Sequence, residues 1–107
     1  MGSEQWQEAS EFVTHYDITT FTETKLDIKA TSRSLSITGY TLYRQDRNSH
    51  GGGVATYISK KLHSHPLPDI QDHYAKDGLE VTVTEVRHRR PPSSIFFIGV
   101  YRPPLAN

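Results

Sequence analysis

The sequence predicts a mixed α/β fold in which one N-terminal helix is followed by about five mostly antiparallel strands. Three observations support this prediction. The first segment carries apolar side chains at helical spacing, and several later segments are dense in β-branched and aromatic residues. Residues 79–87 alternate between apolar and polar types for most of their length, which is typical of a strand.

The helix is predicted over Ser3–His15. Its apolar side chains recur at intervals of three and four residues, so they share one face. Ser3 is a suitable N-cap, and the acidic Glu4 suits the positive end of the helix dipole. The apolar face consists of Trp6, Ala9, Val13 and Tyr16, and Phe12 widens it.

The predicted strands are separated by polar segments. Gln45–Gly53 is rich in charge and glycine and is expected to connect the second and third strands as a long hairpin turn. Asp27–Ser36 and His63–Lys76 are polar and aperiodic, so both are expected to be irregular, and Arg89–Ser94 is expected to be a turn. The strands are Ile18–Glu23, Gly39–Arg44, Val54–Ile58, Leu79–Arg87 and Ile95–Tyr101.

The last of these strands is nearly all apolar, as expected for a strand buried on both faces. Burial on both faces requires a layer on each side of the sheet. A single helix does not cover about five strands. The pattern therefore predicts covering layers that these 107 residues do not supply.

Composition limits the class of protein. A chain of 107 residues has the size of one domain, and its apolar fraction of 35% and mean hydropathy of −0.60 predict a thin core. Twelve basic and twelve acidic residues cancel, so the chain lacks the basic excess common in self-sufficient nucleic-acid binders. The absence of cysteine excludes disulfides and thiolate sites. No apolar run approaches the roughly 20 residues that cross a bilayer, so we expect no membrane association and an intracellular location.

Four segments, in this order along the chain, resemble the endonuclease/exonuclease/phosphatase superfamily, and specifically the endonuclease domain of LINE-type (non-LTR) retrotransposons. The resemblance extends over about residues 10 to 105. Its first segment places a Glu-Thr pair after an apolar strand. The segments are Asp17–Leu26, Gly39–Arg44 with Asp46–Arg47 and Gly51–Ile58, Leu79–Val81, and Gly99–Pro104.

The resemblance implies a four-layer α/β sandwich of two packed sheets with outer helices. Residues 1–107 would form a partial sandwich, an incomplete domain that lacks the family's first strand and its C-terminal half. The Asn of that first strand, the later Asp-x-Asn motif and the final Asp-His pair would then lie outside this sequence. Because the His of that pair readies water for attack in the family, we expect this chain to be inactive alone.

Within the chain, the resemblance assigns a catalytic, metal-binding role to Glu23 and a catalytic role to Tyr101. Glu23 would hold Mg²⁺, and the Tyr101 phenol would donate a hydrogen bond to the scissile phosphate. Lys25 would lie near the metal site. From the residues alone, Glu23 also fits a solvated charge at a strand end, and Tyr101 fits a half-buried aromatic ring.

Other polar residues suggest weaker sites. Arg44, Arg47 and Arg102 are candidates for contact with a DNA backbone, and a solvated face explains them equally well. The Gly51–Gly53 run lacks the Gly-Lys-Ser/Thr ending of a phosphate-binding loop, so a turn that requires positive φ is the better explanation. Three histidines suggest a metal cluster, but a polar loop accounts for them better. They are His63, His65 and His73.

Three functional hypotheses follow. The leading one is a fragment of a Mg²⁺-dependent DNA endonuclease, with DNA as partner and an intracellular location, the nucleus being one candidate compartment, implied by the resemblance. The second is an active nuclease whose missing half, or an associated reverse transcriptase domain, is supplied by another chain or a longer product. The third is a small β-rich binding module without catalysis.

Overall fold

The computed structural model describes residues 3–22, 33–46, 53–87 and 94–102. They form a mixed α/β fold with two helices and six strands, so the predicted class is confirmed with one more helix and one more strand than expected. The elements are α1 (Ser3–Val13), β1 (Ile18–Thr22), β2 (Tyr40–Gln45), β3 (Val54–Ser59), β4 (His63–Pro66), α2 (Pro68–Ala75), β5 (Glu80–Arg87) and β6 (Ser94–Tyr101).

The strands form two antiparallel sheets of three, in the orders β1-β3-β2 and β4-β5-β6. The predicted hairpin of β2 and β3 is confirmed, with Tyr40 opposite Ser59 and Gln45 opposite Val54. The two sheets pack face to face, with β1 near β6 and both β2 and β3 near β5. Cross-sheet bonds, such as the 2.8 Å hydrogen bond between the hydroxyls of Tyr43 and Ser64, fix this packing.

A layer of threonines lies between the sheets. Thr56 of β3 shares hydrogen bonds with Thr20 of β1, at 3.0 Å, and with Thr82 of β5, at 2.7 Å. Gly99 of β6 lies against the same three side chains so closely that a Cβ there would be 2.8 Å from Thr20 Cγ2. Since partnered hydroxyls avoid most of the cost of burial, this interface is partly polar but satisfied.

Helix α1 packs on the outer face of the first sheet. Val13 is fully buried, and the Trp6 ring lies 6.2 Å from the ring of Tyr57. Tyr57 is 3% exposed and donates a 2.8 Å hydrogen bond to the Leu35 carbonyl oxygen. Burial raises the pKa of the Tyr57 phenol to about 12, and the positive charge of Arg44 opposes this shift.

The expectation of an irregular segment over His63–Lys76 was wrong. Residues 63–66 pair with β5 as an edge strand, and residues 68–75 form α2. Pro68 at the first helical turn is preorganised for a helix, and Asp69 suits the positive end of its dipole. Gln71 fixes the helix, because its amide accepts from Val83 N–H and donates to Gln45 Oε1.

The expectation that the last strand is buried on both faces was also wrong. In β6 only Gly99 is buried, and four apolar side chains are between 47% and 62% exposed. Their neighbours in β5, Val81 and Val83, are each 1% exposed, and α2 packs against β5. The exposed β6 side chains are Ile95, Phe96, Ile98 and Val100.

Within the described ranges, neither helix has the length and apolar character needed to cross a membrane.

Candidate active site

The C-terminal ends of β1 and β6 lie at the same end of the sandwich. Thr22, the last residue of β1, pairs with Val54 of β3. The preceding residue, Gly53, donates its backbone N–H to Glu80 Oε1 of the other sheet at 2.6 Å. Glu80 in turn lies opposite Tyr101, the last residue of β6. One continuous path of strand pairing and hydrogen bonding therefore joins the two strand ends.

Three of the sequence-predicted site residues lie outside the described residues: Glu23, Lys25 and Arg47. Glu23 is the next residue after Thr22, so its position in the chain directly follows the end of β1.

Tyr101 and Arg102 lie at this end of the second sheet, at and after the close of β6. Tyr101 closes β6 and is partly exposed, and Arg102, which follows the strand, is exposed. A partly exposed tyrosine packs part of its side chain against the protein and presents the rest to solvent. The partial exposure of Tyr101 fits both interpretations drawn from the sequence, a half-buried aromatic ring and a catalytic tyrosine.

Arg44 lies near the same end of the first sheet, because Ala55 of β3 pairs with both Arg44 of β2 and Phe21 of β1. The Arg44 guanidinium binds the Asp46 carboxylate, with a closest distance of 2.6 Å between Nη2 and Oδ2. Its Nε also donates to both carboxylate oxygens at 3.2 Å. With 13% of its side chain exposed, Arg44 is held against Asp46 beside the first sheet.

Sequence reasoning missed Glu80 as part of this end. It is 8% exposed, and its carboxylate bridges the two sheets through the Gly53 N–H. A buried carboxylate is costly unless it accepts hydrogen bonds, so this contact specifies how the two strand ends meet. The available signal was a charged residue at the start of a strand whose next four residues are valines and threonines.

The glycine run and the histidines, the remaining polar motifs, lie partly within the described residues. Gly53 has a φ of 97°, which confirms the expected positive-φ turn at this glycine. His65 Nε2 lies 2.9 Å from Glu85 Oε1, and His63 belongs to β4, so neither belongs to a polar loop. Among the residues that the structure describes, no three His, Cys, Asp or Glu side chains come together as a metal site.

The described residues of this end include two groups that can contact an anion. Tyr101 carries a phenol O–H, which can donate a hydrogen bond, and the exposed Arg102 carries a positively charged guanidinium. The Glu80 carboxylate is 8% exposed, and its Oε1 accepts from the Gly53 N–H.

The sequence was compared with models of known protein families and with curated protein sequences, and neither comparison gave a match.

Proposed function

We propose that this chain is part of a Mg²⁺-dependent phosphodiesterase domain that acts on DNA, related to the LINE-type retrotransposon endonucleases. In this proposal Glu23 binds the metal and Tyr101 contacts the scissile phosphate. The observation that carries the proposal is the common end of β1 and β6, since the two residues need neighbouring strand ends to act on one phosphate.

The proposed chemistry assigns each group a separate task. Mg²⁺ bound at Glu23 would neutralise charge on the phosphoryl oxygens. The Tyr101 phenol donates a hydrogen bond to one of those oxygens and thereby orients the phosphate. Glu80 acts as a positioning residue because it holds Gly53, and with it the start of β3, against β5. Lys25, Arg47 and Arg102 supply positive charge near the DNA backbone.

The resemblance assigns none of these 107 residues to the task of readying water for attack, which a His performs in that family. We therefore propose that residues 1–107 do not cleave DNA alone and that further chain supplies the rest, either an associated domain or another polypeptide. The exposed apolar face of β6 favours this over a self-contained β-rich binding module, because such a module would bury its sheet faces within itself.

Paramagnetic broadening by Mn²⁺ tests the metal assignment. Mn²⁺ takes the same oxygen ligands as Mg²⁺, and its broadening of nearby nuclear magnetic resonance signals detects weak binding. With the ¹⁵N-labelled chain, we expect selective broadening of the amide signals of Thr22, Gly53 and Tyr101, reversed by excess Mg²⁺. Glu23→Gln should abolish it.

Glu11→Gln is the matched control, since Glu11 is an exposed glutamate on α1. It should leave the broadening unchanged. Broadening that survives Glu23→Gln, or that is centred on other residues, would contradict the proposed metal site. Plasmid nicking by residues 1–107 with Mg²⁺, lost in Glu23→Ala, would contradict the proposed inactivity of the isolated chain.

A further inference from the structure

A cleft of about 650 Å³ lies at the other end of the sandwich. Its walls are the turn between α1 and β1, the start of β2 and the residues that follow β3. The length of β3, six residues, separates it from the Gly53 end by roughly 17 Å. Its volume lies within the range of small-ligand sites. Six of its lining residues matter here: His15, Tyr16, Asp17, Tyr40, Lys60 and Lys61.

The walls of the cleft are fixed by hydrogen bonds. Tyr40 Oη donates to the Tyr16 carbonyl oxygen at 2.7 Å, and Lys60 N–H donates to the Gly39 carbonyl oxygen at 2.8 Å. Ser59 N–H donates to the Asp17 carbonyl oxygen, also at 2.7 Å. Three segments distant in sequence are thus tied together, so the cleft is largely preformed.

The cleft carries excess positive charge. Lys60 and Lys61 are both exposed, and neither ammonium group forms an ion pair with a residue in the described ranges. Asp17 is the acidic residue of the lining. The C-terminus of α1 leads into this region, and the carbonyl oxygens of Glu11, Phe12 and Val13 accept hydrogen bonds from the N–H groups of the next three residues. Two lysines against one carboxylate favour an anion.

An aromatic surface lies beside the lysines. The Tyr16 ring packs on Phe12, with ring centroids 4.9 Å apart, and remains 52% exposed. A tyrosine ring that is supported on one side and open on the other is suited to stacking against a planar group. Because its backbone is held by Tyr40, the ring has a defined place at the cleft.

We propose that this cleft binds a nucleotide unit, with the phosphate at Lys60 and Lys61 and the base against the Tyr16 ring. The unit belongs either to a free nucleotide or to a single nucleic-acid strand. The site lies at the opposite end of β3 from Gly53 and does not depend on the roles proposed for Glu23 and Tyr101. The negative charge of Asp17 repels the phosphate and therefore lowers the affinity of the cleft for the nucleotide.

Chemical-shift titrations of the ¹⁵N-labelled chain test the proposal, with three probes: AMP, a thymidine dodecamer and inorganic phosphate. We expect AMP or the dodecamer to shift the signals of Tyr16, Gly39, Lys60 and Lys61. Shifts with AMP identify a free nucleotide as sufficient, and shifts with the dodecamer alone identify a strand. Inorganic phosphate binding as tightly as AMP would overturn the role of the base, and no shifts at the cleft with any probe would overturn the site.

Variants separate this site from general electrostatics. Lys61→Glu should weaken binding at least tenfold, whereas Lys76→Glu, an exposed lysine that follows α2, should change it less than about twofold. Asp17→Asn should tighten binding. Tyr16→Leu should weaken it at least about fivefold. Equal losses in Lys61→Glu and Lys76→Glu would overturn the proposal, and these two exposed substitutions do not affect the core.

Discussion

Replacing Gly99 with alanine adds a single methyl group at the contact between β6 and β1. That methyl group would lie 2.8 Å from Thr20 Cγ2, 2.9 Å from Thr82 Oγ1 and 3.2 Å from Thr56 Oγ1. All three atoms belong to side chains of the inter-sheet threonine layer, and two of these side chains are almost fully buried. A shift of these side chains to make room would strain the hydrogen bonds that join them.

Overpacking of this kind costs about 1–3 kcal/mol. For a domain of this size, each kcal/mol corresponds to a decrease in Tm of roughly 4–8 °C. Urea denaturation followed by circular dichroism should give a lower midpoint with an unchanged m-value. At a strand position with free space, alanine would instead stabilise the fold by about 0.4–1 kcal/mol through the unfolded chain. The sign of the change thus separates the two cases.

A double-mutant cycle locates the clash. Thr20→Ser removes Cγ2 and keeps the hydroxyl that bonds Thr56. In this background Gly99→Ala should cost less than in the wild type, with a coupling of about 0.5–1 kcal/mol. Full recovery is not expected, because the contact with Thr82 remains. A neutral or stabilising Gly99→Ala, or zero coupling, would refute the packing of β6 on β1.

Three further predictions concern burial elsewhere. Glu80→Ala removes the acceptor of the Gly53 N–H and should lower the free energy of unfolding by about 1.5–3 kcal/mol in urea denaturation, whereas Glu80→Gln keeps an oxygen there and should lose less. The pKa of Tyr57 is raised from 10.0 to about 12, so its contribution to the free energy of unfolding is full below pH 10 and is lost as pH rises toward 12. Tyr57→Phe should therefore reduce the dependence of the free energy of unfolding on pH over this range. Phe96→Lys, on the exposed face of β6, should reduce apolar dye binding and self-association while changing stability by less than about 0.5 kcal/mol; a large loss would show that Phe96 is buried in solution.

Much of the fold was predictable because several elements carry their own pattern. The apolar face of α1 and the β-branched and aromatic content of β1, β2 and β3 are local signals, and these elements form within one or two residues of the predicted bounds. Helix α1 ends at Val13, two residues before the prediction, and the turn that follows bonds to the carbonyls of its last residues.

The second helix and β4 were missed for different reasons. β4 has the sequence His-Ser-His-Pro, which has no strand character of its own, and it is ordered by pairing with β5. α2 did carry a signal, in the form of a proline followed by an acidic residue, with Ile70 and Tyr74 four positions apart. The polar composition of the surrounding residues outweighed that signal.

Burial could not be predicted from alternation alone. In β5 both faces are buried. Thr82 lies on the face that meets the other sheet, Val81 and Val83 lie on the opposite face, and α2 packs against the strand. In β6 the apolar composition suggested two covered faces, and only the Gly99 contact is buried. Coverage depends on which layers are present, and a strand's own residues do not specify it.

The same limit applies to the candidate site. The sequence indicated Glu23 and Tyr101 through a resemblance, but it did not indicate that β1 and β6 end together. That follows from the pairing of β1 with β3 and of β5 with β6, and from the Glu80 contact that joins the two sheets. Glu80 was recognisable only as a strand residue, since its partner is 27 positions away in the chain.

Intramolecular cross-linking tests most directly whether Glu23 and Tyr101 share one end of the sandwich. The chain has no cysteine, so Glu23→Cys with Tyr101→Cys introduces one defined thiol pair. A short thiol-reactive reagent should join this pair efficiently in the folded chain and should not join the control pair Glu23→Cys with Lys61→Cys. Efficient linkage of the control pair, or none between positions 23 and 101, would contradict the shared site.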